Sequence, residues 1–398
     1  MSNKMRIAYF SPLNPIKSGI SDYSEEIIQY LIDYFDIDIF IDPSWNPENK
    51  EVRSKFNIIP FDPQSFDFSY YDEVVYHMGN DYKAHRYIYE SLKRYPGIVV
   101  LHDFVLQGFY AERYDNTGDF DSYKNLLIKY YKEKGKEIAT KIKLRLSPHI
   151  WESEKAMDYP LNEEILEAAK ALVVHSDFVK NRVSEKTKKP IIKINHHGHI
   201  LKEFETDKTR KRMGVGEDDI LICSAGFINR NKRYDSILSA LLDVKGFEFK
   251  YIIAGEDRGR LLNHYLKGNE SHIIKLGHLP IEKLEEIICA SDICINLRYP
   301  TMGESSGSLL RMMGYGKPTL ITDYGSYAEF PDYCAVKISP DIDEKEMIKR
   351  AVTALSLDPD FRLSLGREAK NFVKKECGIK KCAERYADFI ISSAKRKN

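Results

Sequence analysis

Two stretches of the chain repeat the same order of short apolar runs and longer segments with helical spacing. In the first stretch, the apolar runs that predict strands are Arg6–Phe10, Ile37–Ile41, Glu73–Tyr76, Gly97–Leu101 and Ala171–His175. In the second stretch, they are Ile220–Ala225, Phe249–Ala254, Ile273–Leu276, Ile293–Leu297 and Pro318–Thr322. Strands that alternate with helices predict parallel sheets built from right-handed β-α-β units. The sequence therefore predicts an α/β fold with two doubly wound, Rossmann-like domains facing a cleft.

Apolar residues at helical spacing lie between these strands. Ile27, Ile28 and Leu31 predict one helix, which Ser21 or Asp22 can cap. Further helices are predicted over Tyr123–Leu146, Ser236–Leu242, Ile281–Ala290 and Ser308–Tyr315. A length of 398 residues fits two or three domains. The charged stretch 202–212 separates the two series and predicts a boundary between domains of residues 1–200 and 201–377.

Charge and composition exclude several classes of protein. Lys plus Arg number 60 and Asp plus Glu number 60, and this zero net charge argues against an obligate nucleic-acid-binding protein. With 43% hydrophobic and 30% charged residues, the chain is neither disordered nor fibrous. No apolar run approaches the ~18 residues of a membrane-spanning helix, and the N-terminus lacks the pattern of a signal peptide. We therefore expect a cytoplasmic protein that binds no nucleic acid.

All cysteines lie in the second half of the chain, without metal-ligand spacing. They are Cys223, Cys289, Cys294, Cys334, Cys377 and Cys382. Most fall in apolar strand or helix contexts, which is typical of buried free thiols in a reducing cytoplasm.

The loops that follow the strands are the candidate binding loops, because doubly wound sheets bind ligands at the carboxyl ends of their strands. Gly19 lies where a helix is predicted to begin, a position that favours an anion and lets a ligand approach closely. The surrounding sequence is not GxGxxG, and an ordinary turn is the alternative. His102 follows the fourth strand within Leu101-His-Asp103, and a structural histidine is the alternative there.

Two loops of the second domain carry residues suited to phosphate. The loop 226–235 holds three cations that could neutralise a diphosphate, and a solvated basic loop is the alternative. These cations are Arg230, Lys232 and Arg233. The segment 298–311 offers an N–H-rich cradle for phosphate and a glutamate that can accept hydrogen bonds from sugar hydroxyls, with an exposed turn as the alternative. The cradle residues are Gly303, Ser305, Ser306 and Gly307, and the glutamate is Glu304.

Taken in order, these motifs resemble glycosyltransferase family 4, whose members are retaining nucleotide-sugar enzymes with the two-domain GT-B fold. The resemblance covers nearly the whole chain and rests on seven segments. They are 18–23 (Ser-Gly-Ile-Ser-Asp-Tyr), Leu101–Asp103, Val174–Ser176, His196–Gly198, Gly226–Asp235, Gly277–Pro280 and Gly303–Pro318. The resemblance implies that a C-terminal helix of about residues 378–398 returns to the first, acceptor-side domain.

The resemblance also implies roles for individual residues. Gly19 would lie beside the donor diphosphate, and His102 would hydrogen-bond the donor sugar near the reaction centre. Lys232 would pair with the diphosphate. Glu304 resembles the first of two glutamates, seven residues apart, that bind the sugar and the ribose. The base would meet mainly backbone in the stretch after the glycine at 277. The remaining donor-binding residues are Gly277, Leu279, Ser305, Ser306 and Gly307.

Two departures from the family pattern concern the donor site. Phe227 stands where an arginine usually follows the glycine, so another residue must supply the second cation. The candidates are Arg230, Arg233 and Arg311. The second glutamate is missing: Arg311 takes its place when the family is aligned on Gly316-Lys-Pro318, and Met312 does so when counted from Glu304. The ribose contact is therefore unassigned.

The resemblance implies retaining transfer from a nucleotide-diphosphate sugar to a hydroxyl of a glycan, glycolipid or glycoprotein acceptor. A donor phosphate oxygen would take the acceptor proton, and neither a metal nor another cofactor is expected. Asp36-Ile-Asp38 imitates the manganese-binding DxD of the other glycosyltransferase fold. It lies in an alternating apolar and polar run, so a strand edge is the preferred interpretation.

Other interpretations are open. The basic, tyrosine-rich helix predicted over 123–146 could rest on an anionic membrane or frame a lipid-linked or polysaccharide acceptor; a helix packed on the core is the alternative. A nucleotide-sugar epimerase of the same fold would use the donor residues without an acceptor. A non-catalytic, sugar-nucleotide-binding partner subunit would explain the missing glutamate, but His102, Lys232 and Glu304 are all present, which argues against it.

Overall fold

The computed structural model describes residues 4–115, 117–146, 149–198, 200, 202–257, 259, 261–269 and 271–394. The chain forms two compact units, each built on its own parallel sheet. Unit 1 comprises Met1–His196, Met302–Ser305 and Ile379–Asn398, and unit 2 comprises His197–Thr301 and Ser306–Gly378.

Unit 1 contains a seven-stranded sheet in the order β3-β2-β1-β4-β5-β6-β7, in which all neighbouring pairs are parallel. Its strands are β1 (Met5–Phe10), β2 (Phe35–Ile41), β3 (Asn57–Pro60), β4 (Glu73–Met78), β5 (Ile98–Leu101), β6 (Ala171–Val174) and β7 (Ile191–Lys193). The strand order reverses between β1 and β4. In this class of sheet, ligands bind beside the carboxyl ends of the strands at that reversal.

Unit 2 contains a six-stranded parallel sheet in the order β10-β9-β8-β11-β12-β13. Its strands are β8 (Ile220–Ala225), β9 (Phe249–Ala254), β10 (Ile273–Gly277), β11 (Ile293–Asn296), β12 (Thr319–Thr322) and β13 (Val336–Ile338). The order reverses between β8 and β11. The loops after these two strands therefore flank the expected ligand position of this unit.

Helices alternate with the strands in both units. In chain order they are α1 (Gly19–Leu31), α2 (Lys50–Lys55), α3 (Tyr82–Arg94), α4 (Gln107–Asp115), α5 (Phe120–Lys143), α6 (Glu163–Ala168), α7 (Asp177–Lys186), α8 (Thr206–Arg212), α9 (Tyr234–Leu241), α10 (Asn263–Leu266), α11 (Ile281–Ala290), α12 (Gly307–Gly314), α13 (Glu344–Leu357), α14 (Pro359–Glu376) and α15 (Ile379–Ala394). The predicted α/β architecture of two doubly wound sheets is confirmed.

The last helix of the chain belongs to unit 1. The hydroxyl groups of Tyr386 on α15 and Tyr23 on α1 lie 2.7 Å apart. Ile390 of α15 is buried in the same hydrophobic cluster as Ile27 and Ile28 of α1. The predicted return of the C-terminal helix to the first domain is confirmed, and the last four residues of its predicted range lie outside the described part of the chain.

All ten strands predicted from the sequence are present, with ends within two residues of the prediction. Strands β3, β7 and β13 were not predicted, because they are short and only partly buried and so lack a continuous apolar run. Helix α13 was not predicted either, although the spacing of Ile348, Val352 and Leu355 is a helical signal. Part of the charged stretch interpreted as a domain boundary forms helix α8, over Thr206–Arg212.

The helix predicted over Tyr123–Leu146 is not continuous. Within α5, Lys132 has φ 53° and ψ −131°, which interrupts the helix. A Cβ atom on Gly135 would lie 2.1 Å from the carbonyl oxygen of Leu127, so the chain before and after the break packs tightly enough to require glycine. The prediction of one continuous helix over this range is therefore wrong.

The tyrosines of α5 make hydrogen bonds inside unit 1. Tyr123 donates to Gln107 at 2.6 Å, and Tyr130 donates to Glu167 at 3.1 Å. The hydroxyl group of Tyr131 accepts from the amide of Leu161 at 2.6 Å. These bonds favour the packed-helix alternative for this segment. Within the described residues, none of the helices combines the length and hydropathy needed to cross a bilayer.

The cluster between α1 and α15 should dominate the attachment of the C-terminal helix. Ile390 is 2% exposed, and Ile390→Ala should lower the free energy of unfolding by about 3 kcal/mol, because it leaves a cavity. Leu363→Ala is the control, since that side chain is 69% exposed and its loss should cost about 0.5 kcal/mol or less. Urea denaturation of both variants measures the difference; equal effects would contradict the packing described here.

Candidate functional site

Gly19 begins helix α1, beside the point where the sheet order of unit 1 reverses. The preceding residue, Ser18, caps the helix by accepting a hydrogen bond from the amide of Ile20 at 3.2 Å. A Cβ atom on Gly19 would meet no neighbouring atom within 4 Å. Packing therefore does not require glycine here, and the space beside the start of the helix is open.

The loop before Gly19 is held by a buried carboxyl group. Glu25 is 7% exposed and accepts hydrogen bonds from the backbone amide of Asn14 and the side-chain amide of Asn49, both at 2.7 Å. Burial raises the pKa of Glu25, and these hydrogen bonds oppose that shift. Glu25 thus fixes the loop between β1 and α1, a role that sequence reasoning missed.

Three histidines lie on one face of the unit 1 sheet, at the carboxyl ends of β4, β5 and β6. His77 is in register with Val100, and Val100 is in register with Val173. Residues two positions apart share a face of a strand. His102 and His175 therefore follow Val100 and Val173 on the face that also carries His77, and all three side chains are buried.

His102 is held as a neutral imidazole. Its Nε2 lies 2.9 Å from Nδ1 of His77, and its ring lies edge-on to the ring of Tyr23 at 4.9 Å. Burial lowers the pKa of His102 well below its usual value, and the neighbouring imidazoles of His175, His77 and His196 lower it further. The structure thus brings a neutral hydrogen-bonding group to the carboxyl edge of the sheet.

The loops after β4 and β5 are joined through Asp103 and Asn80. The carboxylate of Asp103 accepts from the amide of Asn80 at 2.8 Å. The side-chain oxygen of Asn80 accepts from the amide of Phe109 at 2.9 Å, within the first turn of α4. In return, Glu112 of α4 accepts from the amide of Tyr82, where α3 begins. This reciprocal capping fixes the loop that carries His102.

Residues Met302–Ser305 belong to unit 1, although the sequence prediction placed them within domain 201–377. The carbonyl oxygen of Met302 accepts hydrogen bonds from the amides of Phe104 and Val105 at 2.9 and 3.0 Å. These two bonds attach the segment to the loop directly after His102. Because the bonded residues are about 200 positions apart in the sequence, no local sequence pattern could have predicted this attachment.

Glu304 is positioned by this attachment. Its carboxylate accepts from the amide of Met302 at 2.6 Å, and its side chain is buried. Gly303, between them, has φ 78°, and a Cβ atom there would lie 2.6 Å from Cβ of Phe104. Glycine is therefore required at 303 for both backbone conformation and space. Glu304 and His102 thus lie in the same compact unit.

In unit 2, Lys232 is 6% exposed and lies at the carboxyl end of β8. Its Nζ donates to the carbonyl oxygen of Ala225 at 3.3 Å. Gly226, with φ 105°, leaves room for the ammonium group, since a Cβ atom there would lie 3.2 Å from Nζ. A buried cation next to an open glycine backbone is an arrangement that can stabilise an anion.

The other two cations of this loop differ from Lys232. Arg230 is exposed on a short 3₁₀ turn. Arg233 has φ 59° and makes an ion pair with Glu344 of α13, with a shortest distance of 2.7 Å. The guanidinium group of Arg233 is thus already matched by a carboxylate. Of the three loop cations, Lys232 is the buried one, as the sequence could not show.

The start of α12 provides part of the predicted cradle. The Ser306 hydroxyl caps this helix by accepting from the amide of Leu309 at 3.2 Å, and Gly307 is its first helical residue. Ser305 is half-buried just before the cap. The Ser306 side chain is therefore engaged in capping, which leaves the backbone amides of the first turn as the local anion-favouring groups.

Arg311 is paired with a carboxylate inside unit 2. It is 5% exposed and makes a buried ion pair with Glu285 of α11. The hydroxyl group of Tyr315 also donates to Glu285, at 2.6 Å. Where the sequence offered Arg311 as a second donor cation, the structure places its guanidinium group against a carboxylate of the neighbouring helix.

Gly277 and Leu279 lie at the end of β10. Gly277 has φ 70° and coincides with a shift in the pairing of β10 with β9. Leu279 packs against the hydrophobic cluster that includes Ile287 and Ile288. The Leu279 side chain supports this loop from the inside, which leaves backbone groups for the predicted base contact.

The Asp36-Ile-Asp38 motif lies inside the sheet on β2, one strand in from the edge strand β3. Asp38 is buried and accepts from Arg6 at 2.6 Å, as well as from Tyr71 and Asn57. These contacts support a structural role for the motif over manganese binding. The predicted position at a strand edge is corrected, because β2 is not the edge strand of the sheet. In the described ranges, no three His, Cys, Asp or Glu side chains form a group that could hold a metal ion.

Two comparisons of the sequence with known proteins found similarity: one lies within residues 205–372, and the other covers 240 residues of the chain. Residues 205–372 match the family model described as Glycosyl transferases group 1. An uncharacterized glycosyltransferase of Methanocaldococcus jannaschii is 29% identical over 240 residues, which are 58% of this chain and 60% of that protein. The match thus spans about three fifths of this curated relative.

Solved structures extend the likeness to both units. Sucrose-phosphate synthase from Thermosynechococcus elongatus is similar with a TM-score of 0.70 and 14% identity, covering 98% of this chain and 99% of that one. HepE of Anabaena, solved in complex with UDP and glucose, gives a TM-score of 0.69 and 14% identity, covering 98% and 100%. At these identities the likeness shows the fold, which is the GT-B fold.

The ion pair between Arg311 and Glu285 should stabilise unit 2. Arg311→Met leaves a buried carboxylate without its cation and should lower the free energy of unfolding by about 3 kcal/mol. Arg212→Met is the control, because its ion pair with Glu286 is half-exposed and should contribute about 1 kcal/mol or less. Denaturation without nucleotide measures both. Unchanged stability of Arg311→Met, with weakened nucleotide binding, would instead place Arg311 in the donor site.

Proposed function

We propose that this protein is a retaining glycosyltransferase that moves a sugar from a nucleotide-diphosphate donor to a hydroxyl of a glycan, glycolipid or glycoprotein. The observation that carries the proposal is the buried ammonium group of Lys232 beside Gly226, within the region that matches the group 1 model. The GT-B fold and the glycosyltransferase relative support it.

Lys232 would stabilise the leaving diphosphate. Negative charge grows on the leaving group as the bond to the sugar breaks, and a preorganised cation in a poorly hydrated site lowers the energy of that transition state. Its buried position would make the interaction stronger than that of the exposed Arg230. The backbone amides where α12 begins, at Ser306 and Gly307, would add hydrogen bonds to phosphate oxygens.

His102 and Glu304 would hold the donor sugar. A neutral imidazole can donate to or accept from a hydroxyl group without placing a charge beside the reacting carbon. The carboxylate of Glu304, held by the amide of Met302, is an acceptor that sugar hydroxyls could use. Gly19 would let the donor diphosphate approach the start of α1.

Retention would follow from attack of the acceptor hydroxyl on the same face of the sugar that the diphosphate leaves. The new bond joins the acceptor oxygen to the anomeric carbon, and the bond from that carbon to the phosphate oxygen breaks. The acceptor proton passes to an oxygen of the leaving diphosphate, so no protein carboxylate is needed as a base. We further propose that the reaction is independent of metal, that acceptors bind unit 1, and that the enzyme works in the cytoplasm or at the inner face of the membrane.

The first experiment is a thermal-shift panel of UDP, GDP, ADP, dTDP and their sugar conjugates, with EDTA present. A ligand that binds only the folded state raises the unfolding midpoint. UDP and UDP-glucose come first, because the structurally similar HepE was solved with UDP and glucose. Release of the nucleotide diphosphate from the stabilising donor is then measured, with the anomeric configuration of the product.

The alternatives give different results in this experiment. A non-catalytic partner subunit would show a shift but release no nucleotide diphosphate. An epimerase would change the sugar without needing an acceptor. The absence of any shift with all donors would contradict the proposal, and an inverted product would contradict retention.

Lys232→Met should lower kcat about 10²–10³-fold, because the leaving diphosphate loses its buried cation. The variant should fold, since methionine fills a similar volume without a charge. Lys337→Met is the matched control: this lysine of β13 has a side chain 20% exposed and is paired with Asp332. A Lys232→Met enzyme with normal kcat would remove the residue from the mechanism.

Gly19→Ala should separate stability from donor binding. Because the Cβ atom meets nothing in the protein, alanine should leave the unfolding midpoint unchanged or raise the stability by up to about 1 kcal/mol. The same methyl group should obstruct the approaching diphosphate and weaken donor binding about tenfold or more. Thermal unfolding without ligand and a donor titration give the two values; unaltered donor binding would mean that the diphosphate lies elsewhere.

A further inference from the structure

The contact between His77 and His102 constrains the protonation of both rings. Their nitrogens, Nδ1 of His77 and Nε2 of His102, are 2.9 Å apart, and the side chains are 1% and 8% exposed. A hydrogen bond between two imidazole nitrogens needs a proton on one and a lone pair on the other. The tautomer of each ring therefore dictates the tautomer of its neighbour.

The surroundings keep both rings in place. Tyr9 packs on His77 at 4.6 Å between ring centroids, and Tyr23 packs on His102 at 4.9 Å. The imidazoles of His175 and His196 complete the group, and Nδ1 of His175 is bonded to the carbonyl oxygen of Ile194 at 2.9 Å. A positive charge on any ring of this buried group would be costly, which favours neutral rings.

The bond to His77 also decides which atom of His102 is available to a ligand. With Nε2 engaged, Nδ1 is the ring nitrogen that remains, and none of the residues described in the structure hydrogen-bonds it. A neutral ring with one fixed tautomer offers either a donor or an acceptor at Nδ1, but not a mixture of the two. A single tautomer would hold a bound hydroxyl group in one orientation, because Nδ1 would always play the same hydrogen-bonding role.

We propose that His77 is a positioning residue that locks His102 into one tautomer and one orientation, so that Nδ1 of His102 meets a hydroxyl of the donor sugar. The assignment of the sugar to His102 rests on the proposed function. The lock itself is a property of the free protein and can be tested without a donor.

His85 provides a matched comparison. It is also 1% exposed, on α3 in the same unit, but its Nδ1 lies 2.9 Å from the carbonyl oxygen of Asp81 and not from His102. Replacing either histidine by phenylalanine removes a buried imidazole of similar size. Only His77→Phe removes the partner of His102. His77→Asn can restore the hydrogen bond to His102, since the asparagine side-chain amide lies near the position of Nδ1 of His77 and can donate or accept.

The first test is the two-bond ¹H–¹⁵N correlation spectrum of the full chain labelled at histidine, without ligand, from pH 5.5 to 8.5. His102→Gln identifies the His102 signals. We expect one neutral tautomer that does not titrate in this range, and a mixed or titrating ring in His77→Phe. His85→Phe and His77→Asn should keep the single tautomer. An unchanged His102 spectrum in His77→Phe overturns the proposal.

The second test measures transfer kinetics with the donor found in the thermal-shift panel. His77→Phe should lower kcat/KM about tenfold or more and lose activity more steeply than the native enzyme as the pH falls toward 6, because His102 then gains a proton more easily. His77→Asn should recover most of the activity. His85→Phe should change the pH profile less than His77→Phe does, because His85 contributes less than His77 to the lowered pKa of His102. Altered spectra with native kinetics would overturn the positioning role.

Failure of the proposed function gives a separate result. If no donor binds, the spectra of the free protein still decide whether His77 locks His102. An altered unfolding midpoint would reveal a misfolded His77→Phe variant, and His77→Asn would then decide. A native His102 spectrum in His77→Asn would support the replacement of one hydrogen-bonding partner by another. A titrating His102 ring in His77→Asn would contradict the proposal.

Discussion

The parallel register of the buried sheets is the constraint on which the rest of the structure depends. All strands of a sheet end at the same edge, so residues that follow different strands meet there without being close in sequence. In unit 1, the register of β4, β5 and β6 carries His77, His102 and His175 to one face. The chemistry of this edge is a consequence of the period of two along each strand and of burial under α1 and α15.

Burial distinguishes cations that look equivalent in the sequence. Arg233 and Arg311 are matched by Glu344 and Glu285, which neutralise their charge and hold them in structural roles. The ammonium group of Lys232 is buried next to Gly226 and donates to the carbonyl oxygen of Ala225. A carboxylate on another helix thus gives Arg233 and Arg311 structural roles that their positions in the sequence do not reveal.

Gly303 and Gly19 differ in whether the protein's own packing requires glycine. Gly303 has positive φ and no room for a side chain, since Phe104 packs against it. Gly19 has neither constraint, and the space that it leaves is unoccupied by the protein. The first glycine is explained by the fold, whereas packing within the protein does not explain the second.

The sequence by itself determined the α/β class, ten of the strands and the loops in which polar residues collect, because apolar runs and helical spacing are local patterns. It did not determine that Met302–Ser305 joins unit 1, that His77 bonds His102, or that Arg311 pairs with Glu285. These depend on hydrogen bonds and ion pairs between residues 25 to 198 positions apart. Only the tertiary structure decides them, because the energy of a buried polar group is set by the partner that packing brings to it.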